Sequence, residues 1–369
     1  MDKKSLINRR EFLKLGALGA GALALAPRRR PVLQTGFPDA ERLARVVVGA
    51  TDVYARPNIN TSPTGILYED QVVPFLREVV GTNPFRFVQR FVETPEGYIW
   101  SPNVQMTRNR PDPAPMTRFP DFADSQGFWA EVSVPYVDLV LANPPVRSPA
   151  FRSGVLQRLY YQQVMWVDEV SLDEEDRAWY RLNERSGSYG DIFWAPGEAF
   201  RLITPEDITP ISPDVPVAQK KIVINIAEDV QTLSCFEGND EVYFCRISAG
   251  RRADEEGNTQ EKSATPMGTF GTSWKLHSIH MSGGASGVGW DLIGVAWPTF
   301  FATPGIAIHS TFWHANFGGE YMSRGCVNVL AEDAKFIWRW STPMVPYHAI
   351  EVRENWPSDN LTRVEVIEF

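Results

Sequence analysis

The sequence predicts a mainly β protein with two small β modules in tandem, followed by a larger β unit that carries one short helix. Its 28 prolines and 27 glycines, among many Val, Thr, Tyr and Trp residues, favour short strands and turns over long helices. Two segments repeat one spacing of marker residues, which indicates a duplicated module. Only residues 332–340 have a distinctly helical pattern, with Asp333, Lys335 and Arg339 on the polar face.

Composition and charge narrow the function class. Apolar residues make up 43% of the 369 residues and aromatic residues 12%, so the chain can bury genuine cores and disorder is not expected. The net charge of −9 argues against a nucleic-acid partner, because no basic surface offsets it overall. Three cysteines, Cys235, Cys245 and Cys326, are too few for a disulfide scaffold and lack the His spacing of a structural zinc site.

Residues 1–26 are typical of an export signal. The pair Arg9 and Arg10 precedes an apolar stretch at residues 15–26, which is shorter than the roughly 20 residues that a membrane span needs. The Arg pair and the following Glu-Phe-Leu-Lys resemble the twin-arginine signal. This resemblance implies export to the periplasm or the outer face of the wall, with no stable membrane span after cleavage. An uncleaved anchor is the alternative.

A repeated spacing defines the middle of the chain. Val48 and Val132 lie 84 residues apart, and Trp100 and Trp194 lie 94 apart, so the second copy holds about ten more residues than the first. Prolines concentrate between the copies and mark a linker. The predicted segments are a first module at residues 40–106, a linker at residues 107–126 and a second module at residues 127–206.

The first module carries a local pattern of its own. Residues 52–57 read Asp-Val-Tyr-Ala-Arg-Pro, and residues 97–99 read Gly-Tyr-Ile. This pattern resembles bacterial SH3-like domains and implies two small SH3-like β-barrels. In exported wall enzymes such domains bind the wall or pack beside the active site. Scaffolding repeats without a ligand are an equal alternative.

The third unit is predicted at residues 218–353. Its opening hairpin is expected to pair a strand at residues 222–226 with a returning strand at residues 241–247, through a turn at residues 237–240. Cys235 and Cys245 lie on candidate strands and carry no motif, so we interpret them as buried core residues, with a mutual disulfide as a minor alternative.

One His and one Cys in this unit form a candidate catalytic pair. His309 lies on a predicted apolar strand at residues 305–310. Cys326 lies 17 residues later, in a predicted turn that contains a glycine. A free thiol has a pKa of about 8.5 and is mostly protonated at neutral pH. A neighbouring imidazole can take its proton and later return it to a leaving amine. The order and spacing exclude a papain-like arrangement, in which Cys comes first.

The motifs around this pair resemble the L,D-transpeptidase (YkuD-type) catalytic domain. The resemblance covers roughly residues 218–353 and implies a β-sandwich with a short helix. The residues that carry it are Thr265-Pro266-Met267-Gly268-Thr269-Phe270, Val295-Ala296-Trp297, His309-Ser310, Trp313-His314-Ala315-Asn316-Phe317-Gly318 and Ser323-Arg324-Gly325-Cys326, followed by Asn328.

The resemblance also assigns roles. It implies Cys326 as nucleophile, His309 as base and the Ser310 carbonyl as the group that orients His309. Backbone amides near Arg324, Gly325 and Cys326 would form the oxyanion hole. Substrate-binding side chains would be Ser323, Arg324, Asn328 and His314, although a structural use of His314 is equally expected.

The family's chemistry sets the remaining expectations. Peptidoglycan stem peptides would be the substrates, and no metal or organic cofactor is required. Arg324 stands where the family usually has His; its permanent charge should lower the pKa of Cys326. An L,D-carboxypeptidase, which uses water as acceptor, and a non-catalytic wall-binding protein are the alternatives. Among the other histidines, His277 and His280 are expected to face solvent or to bond local backbone groups.

Overall fold

The computed structural model describes residues 36–124, 126–250, 263–283 and 290–369. All of these residues belong to one compact unit, Leu33–Phe369. The predicted export signal lies outside the described residues and stays a prediction. Within the described ranges, no helix is long and apolar enough to cross a membrane.

The first module is built from eight short strands in two sheets. One sheet has the order β4-β1-β8 and the other β3-β2-β7-β6-β5. Its small core contains Val46, Val53, Val92 and Ile99. The strands are β1 (Leu43–Val46), β2 (Ala50–Tyr54), β3 (Pro63–Tyr68), β4 (Val72–Pro74), β5 (Arg77–Val80), β6 (Arg90–Thr94), β7 (Gly97–Trp100) and β8 (Val104–Thr107).

The second module has a similar strand order. Its strands are β9 (Phe128–Val132), β10 (Tyr136–Asp138), β11 (Val140–Leu141), β12 (Arg158–Tyr160), β13 (Val164–Leu172), β14 (Ala178–Asn183), β15 (Ile192–Pro196) and β16 (Phe200–Leu202), with helix α1 (Pro149–Arg152) before β12. The main sheet has the order β11-β15-β14-β13-β9-β16. In both modules the first strand lies between a middle strand and the last strand. The duplication stays a prediction. The SH3-like assignment stays a prediction.

The third unit packs two five-stranded sheets, with orders β19-β18-β17-β28-β20 and β26-β25-β24-β21-β27, beside a β22-β23 hairpin. Its elements are β17 (Lys220–Ala227), β18 (Val230–Glu237), β19 (Asp240–Arg246), β20 (Gly268–Gly271), β21 (Trp274–Leu276), β22 (Ser278–Gly283), β23 (Trp290–Ala296), β24 (Thr299–Ala302), β25 (Ile306–Ser310), β26 (Val327–Val329), helix α2 (Ala331–Trp340), β27 (Glu351–Arg353) and β28 (Arg363–Ile367).

Two details of this unit differ from the sequence-based expectation. The predicted opening hairpin is wrong, because β18 lies between the two predicted strands and pairs with both β17 and β19. The sheet also includes β28, which pairs in parallel with β17 and lies beyond the predicted end at residue 353. The predicted helix is confirmed as α2. Cys235 and Cys245 are buried and free, which confirms the core interpretation.

The second module and the third unit share one hydrophobic core. Trp129 and Trp166 of the second module belong to the same buried cluster as Trp297, Trp338 and Tyr347 of the third unit. Trp129 also donates from its indole nitrogen to the Tyr347 carbonyl at 2.9 Å. Because apolar burial is the main favourable term in folding, these two parts stabilise each other.

The first module contacts the segment that follows β25. The Arg45 guanidinium donates to the Phe312 carbonyl, and Arg90 Nη2 donates to the Phe317 carbonyl at 2.8 Å. The Ala315 amide donates to the Pro102 carbonyl at 3.2 Å. Arg45 also pairs with Asp70, so its buried charge is compensated. The first module therefore supports the chain immediately beyond His309.

Helix α2 ends on a buried lysine. The last carbonyls of a helix have no partner within it and need donors from elsewhere. Lys275 is fully buried, and its Nζ donates to the carbonyls of Trp338 and Ser341, the latter at 2.7 Å. Burial lowers the pKa of Lys275 well below its usual value. The helix packs against β25 and so backs the strand that carries His309.

Candidate active site

Two parallel strands bring His309 and Cys326 to the same face of a sheet. β25 and β26 pair with His309 opposite Asn328. Side chains two residues apart on a strand share a face, so His309, Asn328 and the preceding Cys326 project in one direction. All three line the same cavity.

A strained glycine turn presents Cys326. Gly325 has φ +115°, a conformation that side-chain-bearing residues rarely adopt, and a Cβ there would lie 2.6 Å from Ile306 Cδ1. The buried Thr265 hydroxyl accepts from the Gly250 amide at 2.8 Å and donates to the Gly325 carbonyl at 2.9 Å. Thr265 is the first residue of the Thr-Pro motif. Its hydroxyl holds the turn that precedes the nucleophile, which gives the motif a structural role.

The Cys326 thiol is neutral in the resting protein. Its Sγ lies 3.7 Å from the Gly305 carbonyl oxygen. Burial raises the pKa of Cys326 to about 11, and a hydrogen bond from the Ala307 amide opposes that shift. A thiolate must therefore form by proton transfer during the reaction, because little of it exists at neutral pH.

His309 is held as a neutral base. Its Nδ1 donates to the Ser310 carbonyl at 2.8 Å, which leaves the lone pair on Nε2. Burial lowers the pKa of His309 to about 4, partly opposed by the Ser310 carbonyl. The Ser310 hydroxyl accepts from the Ala296 amide at 3.1 Å, which anchors the orienting residue itself. The tautomer that can accept a thiol proton is thus fixed by the backbone.

Arg324 does not have the expected electrostatic effect on Cys326. Its guanidinium lies over the Trp290 ring, 4.7 Å from the ring centroid. The expected lowering of the Cys326 pKa is wrong, since burial dominates and the opposing contribution comes from the Ala307 amide. Arg324 is exposed at the cavity rim, where water screens its charge.

Ser323 and Gly325 bond within the turn. The Gly325 amide donates to Ser323 Oγ at 3.2 Å, and the Ser323 hydroxyl donates to the Cys326 carbonyl. The Ser323 proton is therefore used inside the turn and not directed at a substrate. For Gly325 to serve an oxyanion, its amide must give up the bond to Ser323.

Asn328 and His314 form a buried pair behind the catalytic strand. Asn328 Nδ2 and His314 Nε2 lie 2.7 Å apart, and the Asn316 amide donates to His314 Nδ1 at 3.2 Å. Asn328 lines the cavity, and its Oδ1 is buried without a hydrogen-bond partner among the described residues. His314 is not among the residues that line the cavity, so its placement favours structural use.

A cavity of about 600 Å³ opens in front of the pair. Most of its wall is aromatic or apolar, and Gly187 of the second module reaches its rim. Most of these wall residues carry no motif, because they come from separate strands; the exceptions are Ile306, on the predicted strand at residues 305–310, and Trp313, in the motif at residues 313–318. The aromatic and apolar side chains are Trp274, Ile279, Met281, Trp290, Leu292, Phe300, Ile306, Trp313 and Met322. Ser282 of the predicted glycine-rich loop also lines it, while residues 284–289 lie outside the described ranges.

The expectation for His277 and His280 is wrong, since both are buried. His277 stacks on Trp129 with ring centroids 4.8 Å apart, and burial lowers its pKa to about 3. His280 lies between the carboxylates of Glu184 and Asp291. Long-range packing on the second module buries these side chains, and no local pattern in the sequence shows that contact. Across the described residues, no three potential ligand side chains are grouped to hold a metal ion.

Residues 219–364 match the family model of the L,D-transpeptidase catalytic domain (YkuD). The match therefore covers most of the third unit and neither of the two modules. No curated protein matches the chain.

Solved structures with limited similarity are also L,D-transpeptidases. One from Enterococcus faecium is 18% identical over 40% of this chain and 50% of that chain, with a TM-score of 0.29. One from Mycobacterium smegmatis is 17% identical over 54% of this chain and 98% of that chain, with a TM-score of 0.29. L,D-transpeptidase 3 from Mycobacterium tuberculosis, in complex with a faropenem-derived adduct, is 17% identical over 49% and 74%, with a TM-score of 0.29. The alignments span about half the length of the first two solved chains.

Proposed function

We propose that this protein is an exported peptidoglycan L,D-transpeptidase that works through an acyl-enzyme on Cys326. The observation that supports this most is the shared placement of Cys326 and His309 on one cavity wall, with the imidazole held as the Nδ1–H tautomer. A neutral thiol beside a neutral base is the resting state from which a nucleophile forms on demand.

In the first half-reaction the donor is a tetrapeptide stem. His309 Nε2 takes the thiol proton as Cys326 Sγ attacks the carbonyl carbon of the third residue, at its L-centre. A tetrahedral oxyanion forms and collapses. The imidazolium then returns the proton to the leaving amine, the terminal D-alanine departs, and a thioester remains on Cys326. Burial, which lowers the pKa of His309, favours this return of the proton.

Backbone amides of the glycine turn would stabilise the oxyanion. Amides of residues 324–326 are the candidates, and the Gly325 amide would exchange its 3.2 Å bond to Ser323 for the substrate oxygen. Each donor of this kind contributes roughly 3 kcal/mol to the transition state. The φ of Gly325 presents these amides, so the residue cannot be replaced without cost.

In the second half-reaction a side-chain amine of another stem attacks the thioester. His309 accepts the amine proton, the C–N bond forms, and the Cys326 thiolate is released and reprotonated. A wall of aromatic side chains would exclude water and favour the amine over hydrolysis.

Substrate contacts at the cavity follow from its polar groups. Asn328 Oδ1 is buried without a partner among the described residues and would accept a substrate N–H. Arg324, stacked on Trp290 at the rim, would bind a stem carboxylate. Substrate roles for Ser323 and His314 stay predictions.

The direct experiment is incubation with purified disaccharide-tetrapeptide, followed by mass spectrometry of the products. A cross-linked dimer with loss of alanine is the expected result. A tripeptide product would indicate carboxypeptidase activity instead. No change in the substrate, with Cys326 unmodified, would favour a wall-binding protein.

A further inference from the structure

We infer that residues 184–189 of the second module are part of the substrate site, and that His280 positions the β22–β23 hairpin against them. This inference rests on the proposed function. It assigns the second module a direct part in binding the stem peptide, in addition to its share in the core.

The loop at residues 184–189 contacts β22 through its backbone. The His280 amide donates to the Ser186 carbonyl at 3.0 Å. Gly187 has φ +77°, and a Cβ there would lie 2.3 Å from the His280 carbonyl oxygen. Only glycine fits such an approach without displacing the strand. Gly187 also lines the cavity, so the same contact brings the second module to the substrate.

The His280 ring is bonded on both nitrogens. Nδ1 lies 2.7 Å from Glu184 Oε2, and Nε2 lies 2.5 Å from Asp291 Oδ1. The three side chains are between 2% and 7% exposed. Ionised carboxylate oxygens can only accept, so a hydrogen bond to one at each ring nitrogen requires a proton on both nitrogens and makes the ring an imidazolium. The Tyr189 ring, edge-on at 5.2 Å, is the other titratable side chain among the described residues that contacts it.

The same carboxylates bond to elements on both sides of the junction. Glu184 Oε1 accepts from the Gly294 amide of β23 at 3.0 Å. Asp291 Oδ2 accepts from the Ser148 hydroxyl at 2.6 Å and from the Ala150 amide of α1 at 3.2 Å. The imidazolium therefore closes a network that joins β22 and β23 to the second module. Burial acts to lower the pKa of His280, but its two carboxylate partners together raise it above the usual value.

The β22–β23 hairpin in turn forms one wall of the cavity. Met281 and Leu292 are paired across it, and both line the cavity. The ring of Trp290, the residue before Asp291, contacts the Arg324 guanidinium. His280 is thus a positioning residue for this wall, and its loss should affect substrate binding before it affects the chemistry at sulfur.

The kinetic test compares His280→Gln with His348→Gln in the full-length protein. His348 is a matched control, because its Nε2 also reaches across to the Phe122 carbonyl at 3.1 Å, away from the cavity lining. We expect His280→Gln to raise KM for disaccharide-tetrapeptide by about tenfold or more with kcat little changed, and His348→Gln to leave KM unchanged. Equal KM values for both variants and the parent would overturn the inference.

A second test measures the protonation state of His280 and does not depend on catalysis. Since the folded pKa is raised, the bond network is complete at low pH and is lost as pH rises through that pKa. Nitrogen-15 NMR should show both ring nitrogens of His280 protonated at pH 7. The protection of β22 and β23 amides from hydrogen exchange, relative to the intrinsic exchange rate at each pH, should fall at alkaline pH in the parent.

Glu184→Gln gives the matching control for that titration. A Gln amide can donate to Nδ1, so the network no longer needs a second ring proton. We expect this alkaline loss of protection to disappear in this variant. A singly protonated His280 at pH 7 in the parent would overturn the inference. The NMR and hydrogen-exchange measurements need no catalytic activity. They can therefore refute the role of His280 independently of whether the protein forms cross-links.

Discussion

Thr265→Val tests whether the hydroxyl of the Thr-Pro motif holds the catalytic turn. Thr265 is 3% exposed, and its Oγ1 makes two hydrogen bonds, from the Gly250 amide and to the Gly325 carbonyl. Valine has nearly the same shape but leaves both backbone groups buried without a partner. Each such group costs about 1–3 kcal/mol, so we expect a loss of about 2–6 kcal/mol in the free energy of unfolding.

Urea unfolding measures this loss, and Thr265→Ser is the control because it keeps the hydroxyl. The rate of Cys326 acylation, followed by intact-protein mass spectrometry, should fall in Thr265→Val and stay near the parent value in Thr265→Ser. If the Val variant unfolds at the same urea midpoint and acylates as fast as the Ser variant, the hydroxyl does not hold the turn.

Four further outcomes are expected. His309→Ala should slow acylation by roughly 10²–10⁴-fold, the range of a lost general base, and a smaller loss would remove His309 from that role. Burial lowers the pKa of His309 to about 4, so the acylation rate should stay constant between pH 7 and pH 5 and fall as pH approaches 4. A fall in the rate centred near pH 6.5 would contradict a buried base. Arg324→His should keep the acylation rate of the parent, because Arg324 stacks on Trp290 and does not set the pKa of Cys326; a large loss would show that the guanidinium acts at sulfur. Replacing Arg9 and Arg10 by Lys should abolish export, measured by fractionation, and equal export would exclude the twin-arginine assignment.

The sequence predicted the parts of the site that depend on local spacing. His309 and Cys326 were placed by a short motif whose two halves form neighbouring strands, so 17 residues of sequence were enough to pair them. Helix α2 was predictable for the same reason, because an amphipathic period is local information.

The contacts between units were not predictable from local pattern. His280 lies between Glu184, about 96 residues earlier in the chain, and Asp291. His277 stacks on Trp129 in a core formed by two parts of the chain. Buried aromatic residues of the second module and of the third unit also pack together across the segment that joins them. Such burial is decided by tertiary packing, which overrides polarity at single positions.

The expectation that Arg324 lowers the pKa of Cys326 is wrong for a related reason. The sequence places a guanidinium two residues before the thiol, which favours a stabilised thiolate. In the fold, the Arg324 guanidinium lies over the Trp290 ring, while burial and the Ala307 amide set the pKa of Cys326. Closeness in the sequence therefore does not predict the electrostatic effect of one side chain on another.

The most direct test of the central claim is the site of acylation. The protein is treated with a carbapenem, which mimics the acyl donor, and the adduct is located by intact mass and peptide mapping. We expect one adduct on Cys326 and none in Cys326→Ala, which should also be inactive on tetrapeptide. Cys235 and Cys245 are at most 6% exposed and provide internal controls. An adduct on either of them, with Cys326 unmodified and Cys326→Ala still active, would contradict the account.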